Sequence, residues 1–95
     1  MDDVQLETSL SLVKESIGLR SDVRDGFLTA IIKGTHKQLT TEQGISLDMD
    51  NSYHLIFLVD FSAWRYKNRD SSGAIPRHLQ FRLHNLIIKN GGASP

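Results

Sequence analysis

The chain has 95 residues, which is enough for one domain with a modest hydrophobic core and too few for two domains. It contains no cysteine, which excludes disulfides, cysteine-ligated zinc and thiol catalysis. Its longest apolar run, Leu55 to Val59, is five residues, whereas a membrane-spanning helix needs ~20. The formal net charge is zero, while a free nucleic-acid-binding protein is more often basic overall.

The charges are unevenly distributed along the chain. Residues 1–50 carry nine acidic and five basic side chains, a balance of −4, and residues 51–95 carry two acidic and six basic ones, a balance of +4. The two halves either neutralise each other inside the fold or attract other copies of the chain, or one partner at each end. Charge alone slightly favours neutralisation inside the fold.

Hydrophobic periodicity predicts an all-α protein. The predicted architecture is a compact bundle of about four helices, over residues 4–17, 22–43, 52–69 and 76–90. The bundle forms a single domain over residues 1–95, with a short flexible tail from about residue 91. Gly18, Gly44 and Gly91 suit helix ends, and Pro76 suits a first helical turn.

The first two predicted helices differ in their apolar surfaces. One stripe on the first helix holds Leu6, Leu10, Val13 and Ile17. The second helix has two adjacent stripes. One consists of Val23, Phe27, Ala30, Ile31 and Gly34, and the other of Leu28, Ile32 and Leu39. A glycine inside a helix costs ~1 kcal/mol relative to alanine, so Gly34 predicts the close approach of a neighbouring helix.

The third predicted helix is apolar almost all the way round. One aromatic stripe consists of Tyr53, Phe57, Phe61 and Trp64, and the opposite side carries Leu55, Val59 and Tyr66. A helix of this kind is buried from several directions, so it is predicted to be the internal post of the domain. In the segment Trp64 to Arg69 the aromatic side chains are expected to pack in the core and the cations to face solvent.

Asp60 lies on this helix among apolar neighbours. A buried carboxylate needs a partner, and the sequence predicts a structural ion pair with Arg77 or Arg24 rather than a catalytic role.

The fourth predicted helix has three distinct faces. The core face holds Leu79, Leu83, Leu86 and Ile87, and a basic, polar stripe holds His78, Arg82, Asn85 and Lys89. Phe81 and Ile88, seven residues apart, point nearly opposite the core. Two large apolar side chains stacked on an outward face favour an interface with another protein.

The sequence contains no recognisable catalytic, cofactor-binding or metal-binding arrangement. The four histidines do not have the spacing of a shared metal site and are expected at the surface or an interface. Asp48 and Asp50 begin like a calcium loop, but Tyr53 and Val59 stand where glycine and glutamate are required. We therefore expect a protein that is not an enzyme and that works, without a cofactor, by binding other proteins.

Four segments carry a resemblance to a known family: Ile17-Gly18-Leu19, Ser21 to Asp25, the aromatic helix Tyr53 to Tyr66, and the turn Asn68 to Leu79. On these segments the chain resembles the head–tail connector, or adaptor, proteins of tailed bacteriophages, over roughly residues 10 to 92. The resemblance implies a structural virion protein that forms a ring, typically of twelve copies, under the capsid portal. Such a ring extends the DNA channel and docks the next stopper or tail component.

The resemblance also implies partners and a location. The partners are copies of the chain itself, the portal protein and a stopper or tail-completion protein, with DNA only as cargo and no membrane. The location is the head–tail junction of the virion, assembled in the cytoplasm of the bacterial host. By position in the chain, portal contact is assigned to about Asn85 to Pro95, and so to Asn85, Lys89 and Asn90.

The apolar stripes supply candidate contacts between subunits of such a ring. Phe81 and Ile88 would form one side of the contact, and Leu28, Ile32 and Leu39 the other. The alternative function is a small helix-turn-helix DNA-binding regulator, with residues 76–90 as its recognition helix.

Overall fold

The computed structural model describes residues 1–70 and 73–90, apart from the side chain of Asn90. Over these ranges the chain forms no β-sheet and four α-helices: α1 (Asp3–Ile17), α2 (Asp25–Lys37), α3 (Ser52–Lys67) and α4 (Arg77–Asn90). A short π-helix, Gln38–Glu42, continues α2. The predicted all-α class is confirmed. The predicted flexible tail from residue 91 lies outside the described residues.

Local side-chain chemistry sets the ends of α1 and α3. Asp2 Oδ1 accepts a hydrogen bond from the Gln5 backbone N–H at 2.7 Å, and Gln5 Oε1 accepts one from the Asp2 N–H at 3.0 Å. This reciprocal capping box satisfies two donors that the helix leaves free. Gly18 ends α1 at φ 73°, in the left-handed region that glycine adopts without strain. Asn51 caps α3 by accepting from the Tyr53 N–H at 2.9 Å.

The second helix is shorter than its predicted range, 22–43. Ser21 Oγ accepts from the Val23 N–H at 3.1 Å within a turn, so the helix starts only at Asp25. At its other end the backbone widens into the π-helix, where the Gln43 N–H donates to the carbonyl of Gln38 at 3.0 Å. Gly44, at φ 68°, follows this segment. The predicted stop at Gly44 is therefore right, although the last turn is not α-helical.

Helix α3 is the centre of the fold, because α1, α2 and α4 all pack against it. Its fully or nearly buried residues are His54, Phe57, Leu58, Val59, Phe61, Ser62 and Ala63. The predicted internal post is thus confirmed for most of its circumference. Tyr53 and Ile56 are the exceptions, with exposed fractions of 84% and 45%. Helix α4 packs against α3 and against no other helix of the described chain.

The apolar stripe on α2 that was assigned to a subunit interface is in fact core. Leu28 and Ile32 are fully buried, and Leu39 in the π-helix is 1% exposed. The other stripe is the outer one, since Val23 is 89% exposed and Phe27 is 46% exposed. The sequence-based assignment of Leu28, Ile32 and Leu39 to a contact between copies is therefore wrong. A side chain buried within one copy has no surface to offer another.

The expected close approach at Gly34 is also wrong. A Cβ atom built on Gly34 would meet no atom within 4 Å, apart from its immediate chain and helix neighbours. Gly34 lies on the exposed side of α2, on the same outer stripe as Phe27.

His54 corrects the expectation that the histidines lie at the surface. It is only 4% exposed, and its Nδ1 accepts a hydrogen bond from the Asp48 N–H at 2.8 Å. This bond ties the loop that precedes α3 to the first turn of that helix. Together with buried Ile45 and Met49 it makes the loop part of the core.

Two buried serines give a matched test of hydrogen bonding in the core. Ser9 and Ser62 are both fully buried in helices, but only Ser9 Oγ has a partner, the carbonyl of Gln5 at 2.9 Å. Ser62 Oγ has no hydrogen-bond partner among the described residues. A buried polar group without a partner costs ~1–3 kcal/mol. We expect Ser62→Ala to raise the free energy of unfolding by ~1 kcal/mol relative to Ser9→Ala.

Urea denaturation of the two variants and the wild type measures this difference. Both changes gain the same helix propensity, which therefore cancels in the comparison. Equal effects of the two substitutions would show that the Ser62 hydroxyl is satisfied in solution.

Candidate protein-interaction surface

The outward side of α4 carries two large apolar side chains that the described residues leave mostly exposed. Phe81 is 68% exposed and Ile88 is 65% exposed. Their spacing of seven residues places them on one side of the helix, ~10 Å apart along its axis. On the inner side Leu79 is 1% exposed and packs in the core. The predicted outward position of Phe81 and Ile88 is confirmed, and their use in an interface remains a prediction.

One ion pair joins α4 to the central helix. Arg82 Nη1 lies 2.8 Å from Asp60 Oδ2, and the two side chains are 34% and 40% exposed. The same guanidinium lies 5.2 Å from the ring centroid of Phe57, in cation–π geometry. Asp60 is therefore a half-exposed carboxylate paired with Arg82, and the predicted buried carboxylate paired with Arg77 or Arg24 is wrong. A pair this exposed contributes ~0–1 kcal/mol, so its main effect is to orient α4 on α3.

A surface cleft of about 510 Å³ lies between α3 and α4. Its lining residues are Asn51, Tyr53, His54, Phe57, Arg82, Asn85, Leu86 and Lys89. Asn85 and Lys89, the predicted portal contacts, thus share one surface, whereas the side chain of Asn90 is not described. The lining combines apolar side chains such as Phe57 and Leu86 with polar ones such as Asn85 and Lys89.

A second exposed cluster, which the sequence did not predict, joins the start of α2 to the end of α3. The rings of Phe27 and Tyr66 meet edge to face with centroids 6.1 Å apart. The guanidinium of Arg69 lies 4.2 Å from the Tyr66 centroid, and that of Arg24 lies 6.0 Å from it. Tyr66 packs against the core and Arg69 is exposed, as expected, but the sequence did not predict that the two side chains stack on each other. Tyr66 and Arg69 are three residues apart, and this spacing brings two side chains together on a helix. The contact between ring and cation could therefore have been predicted from the sequence.

Arg65 corrects the expectation that the cations of this segment face solvent. Its Nη1 donates to Thr35 Oγ1 at 3.1 Å and to Gln38 Oε1 at 3.0 Å. These bonds attach α3 to the junction of α2 with the π-helix. Short π-helical segments recur at functional sites, but here the junction is occupied by the protein's own arginine.

A charged network joins α1 to the start of α2. Lys14 Nζ lies 2.8 Å from Asp22 Oδ1 and 2.9 Å from Asp25 Oδ1. Hydrogen bonding to Asp22, and then to Asp25, raises the pKa of Lys14, and the bond from Lys14 lowers the pKa of Asp22.

Burial lowers the pKa of His36, which favours its neutral form.

The described residues contain no group of three or more histidine, aspartate or glutamate side chains placed to hold a metal ion. None of the helices in residues 1–70 and 73–90 is both long enough and apolar enough to cross a membrane.

Comparison with known protein families, curated protein sequences and solved structures finds no match to this chain. The resemblance to head–tail connectors therefore remains a prediction from the residues.

Proposed function

We propose that this protein is a virion assembly protein of the head–tail connector type. Copies associate side by side into a ring beneath the capsid portal, and the outer face of α4 forms one half of the contact between neighbours. The observation that carries the proposal is the pair Phe81 and Ile88, both about two-thirds exposed on a helix that, among the described helices, packs only against α3.

The energetics of exposed apolar surface support association through this face. Complete burial of a Phe or Ile side chain contributes roughly 1.5–3 kcal/mol. The monomer realises only a minor part of this energy at Phe81 and Ile88, and a neighbour that covers them would add more at every contact. A closed ring repeats the contact once per copy, so a modest pairwise energy suffices for assembly on a portal template.

The polar residues beside this face support the assignment of a second partner. Asn85 and Lys89 are exposed on α4 and line the cleft next to α3. In the proposed assembly the cleft side of α4 at Asn85 contacts the portal, the opposite end of the ring docks a stopper or tail-completion protein, and DNA passes through the channel. The ring then belongs to the head–tail junction of the virion and is assembled in the host cytoplasm.

A DNA-binding regulator that reads bases with residues 76–90 is less well supported. Nine residues separate α3 from α4, against the 3–4 typical of a helix-turn-helix. Phe81 and Ile88 occupy the outward face, where base-reading polar side chains are needed. Arg82, a basic residue of this helix, is already paired with Asp60.

The test is assembly on portal-bearing capsids that lack a connector, viewed by electron microscopy. We expect wild-type protein to add a ring at the portal vertex, and the double variant Phe81→Asp, Ile88→Asp to stay a folded monomer that adds none. Circular dichroism checks that the variant remains helical. The control, Val23→Asp with Ala30→Asp, places the same two charges on two exposed positions, one in the turn before α2 and one on α2, and should still assemble.

Two results would contradict the proposal. One is ring formation by the Phe81→Asp, Ile88→Asp variant equal to that of the wild type. The other is a wild-type protein that leaves the portal vertex bare and instead binds random duplex DNA with strong salt dependence, as the regulator would.

A further inference from the structure

We propose that the outer face of α4 docks onto the outer face of α1 of the next copy. The α4 outer face is Phe81 and Ile88 with the flanking Arg77 and Lys89. The α1 outer face is the exposed side of that helix: Asp3, Val4, Glu7, Thr8, Ser11 and Glu15. This inference rests on the proposed ring assembly and identifies the second half of its interface, in place of the buried stripe on α2.

The ion pairs within the monomer leave α1 with a negative outer face. Lys14, the cation of this helix, is held by Asp22 and Asp25 at 2.8 and 2.9 Å. Asp3, Glu7 and Glu15 are exposed, and none of them forms an ion pair with any other described residue. Three unpaired carboxylates therefore lie along one helix.

The ion pairs leave α4 with the opposite sign. The helix contains no acidic residue, and Arg82 is paired with Asp60 at 2.8 Å. Arg77 and Lys89 are exposed, and within the described ranges no carboxylate pairs with either. A helix with two unpaired cations and a helix with three unpaired carboxylates attract each other when they belong to different copies.

The spacing of these charges matches between the two helices. Arg77 and Lys89 are twelve residues apart, and so are Asp3 and Glu15. At 1.5 Å per residue both separations are ~18 Å. Two helices laid side by side and antiparallel therefore bring opposite charges to the same height at both ends.

The apolar and small residues between the charges are also complementary. On α1, Val4 is 72% exposed, and the small side chains of Thr8 and Ser11 follow on the same side. On α4 the bulky residues are Phe81 and Ile88, whose seven-residue spacing equals that of Val4 and Ser11. Small side chains opposite large ones let two helices approach closely and interdigitate.

The two faces belong to helices that do not contact each other within one copy. One molecule can therefore use its α4 face toward one neighbour and its α1 face toward another. A contact between two different surfaces is heterologous, and repetition of it gives a ring when the rotation closes. A contact between the α4 faces of two copies would use the same surface on both, and assembly would end at a dimer.

The absence of cysteine makes disulfide trapping a clean test. Ser11→Cys reports on the α1 outer face and His84→Cys on the α4 outer face, since both residues are exposed. We mix the two single variants with portal-bearing capsids that lack a connector, oxidise them and measure products by intact mass. We expect the mixed disulfide dimer to predominate over either homodimer. A control mixture of Ser11→Cys with Lys33→Cys, exposed on α2, should give the statistical product ratio.

Charge exchange tests the electrostatic part of the pairing. Arg77→Glu with Lys89→Glu in the His84→Cys copy should abolish the preference for the mixed dimer. Asp3→Lys with Glu15→Lys in the Ser11→Cys copy should restore it. Statistical cross-linking of the unreversed pair, or no restoration, would overturn the α1–α4 contact.

The failure of this inference is distinguishable from failure of the proposed function. If the cross-linking is statistical but the wild type still adds a ring to the portal vertex, only the α1–α4 contact is overturned. A wild type that leaves the portal vertex bare contradicts the connector function, whatever the cross-linking shows.

Discussion

Replacement of Phe57 by alanine is expected to lower the free energy of unfolding by ~3–5 kcal/mol. Phe57 is 1% exposed at the centre of α3, and its ring meets that of Phe61 edge to face, with centroids 5.7 Å apart. The Arg82 guanidinium also lies over this ring. A small domain has a total stability of ~5–15 kcal/mol, so the substitution removes a large part of it.

The matched control is Tyr53→Ala, one helical turn earlier on the same aromatic stripe. Tyr53 is 84% exposed, and a surface substitution of this kind usually changes stability by less than ~0.5 kcal/mol. Urea denaturation followed by circular dichroism measures both variants. Similar losses for the two would mean that α3 is covered at its first turn in the isolated protein, contrary to the fold described above.

Leu28→Ala is expected to cost ~2–5 kcal/mol, because Leu28 is fully buried and its truncation leaves a cavity. The control is Val23→Ala, at a position 89% exposed, which should be close to neutral. Thermal or urea unfolding gives both values. A Leu28→Ala variant with wild-type stability and defective assembly would return this residue to the subunit interface.

The Leu28 and Val23 pair shows why the second helix was misassigned. Both of its stripes are apolar and lie side by side, so helical periodicity identifies the two stripes but does not show which of them is buried. The positions of α1 and α3 decide which stripe is buried. Their packing brings Leu28 and Ile32 into the core and leaves Phe27 half-exposed. The ring of Phe27 then packs against Tyr66 and lies beside Arg69, so these contacts join residues more than thirty positions apart in the sequence.

The fourth helix was easier to predict because its faces differ in chemistry. One face is rich in leucine, another is basic, and a third carries an isolated aromatic–aliphatic pair. Only one orientation of the helix buries the leucine face in the core. The structure agrees at Leu79, Phe81 and Ile88. It differs over the carboxylate partner, since Arg82 rather than Arg77 or Arg24 is the arginine that the packing of α4 brings within 2.8 Å of Asp60.

The sequence by itself determined the helical class, the number of α-helices in the described chain and the central position of the apolar helix at Tyr53 to Tyr66. It did so because helix ends and apolar periodicity are local properties, encoded by residues within a few positions of each other. Tertiary structure alone decided which stripe of α2 is buried, which arginine Asp60 meets and which charges remain unpaired on α1 and α4. Those outcomes depend on the distances between helices, which no local pattern records.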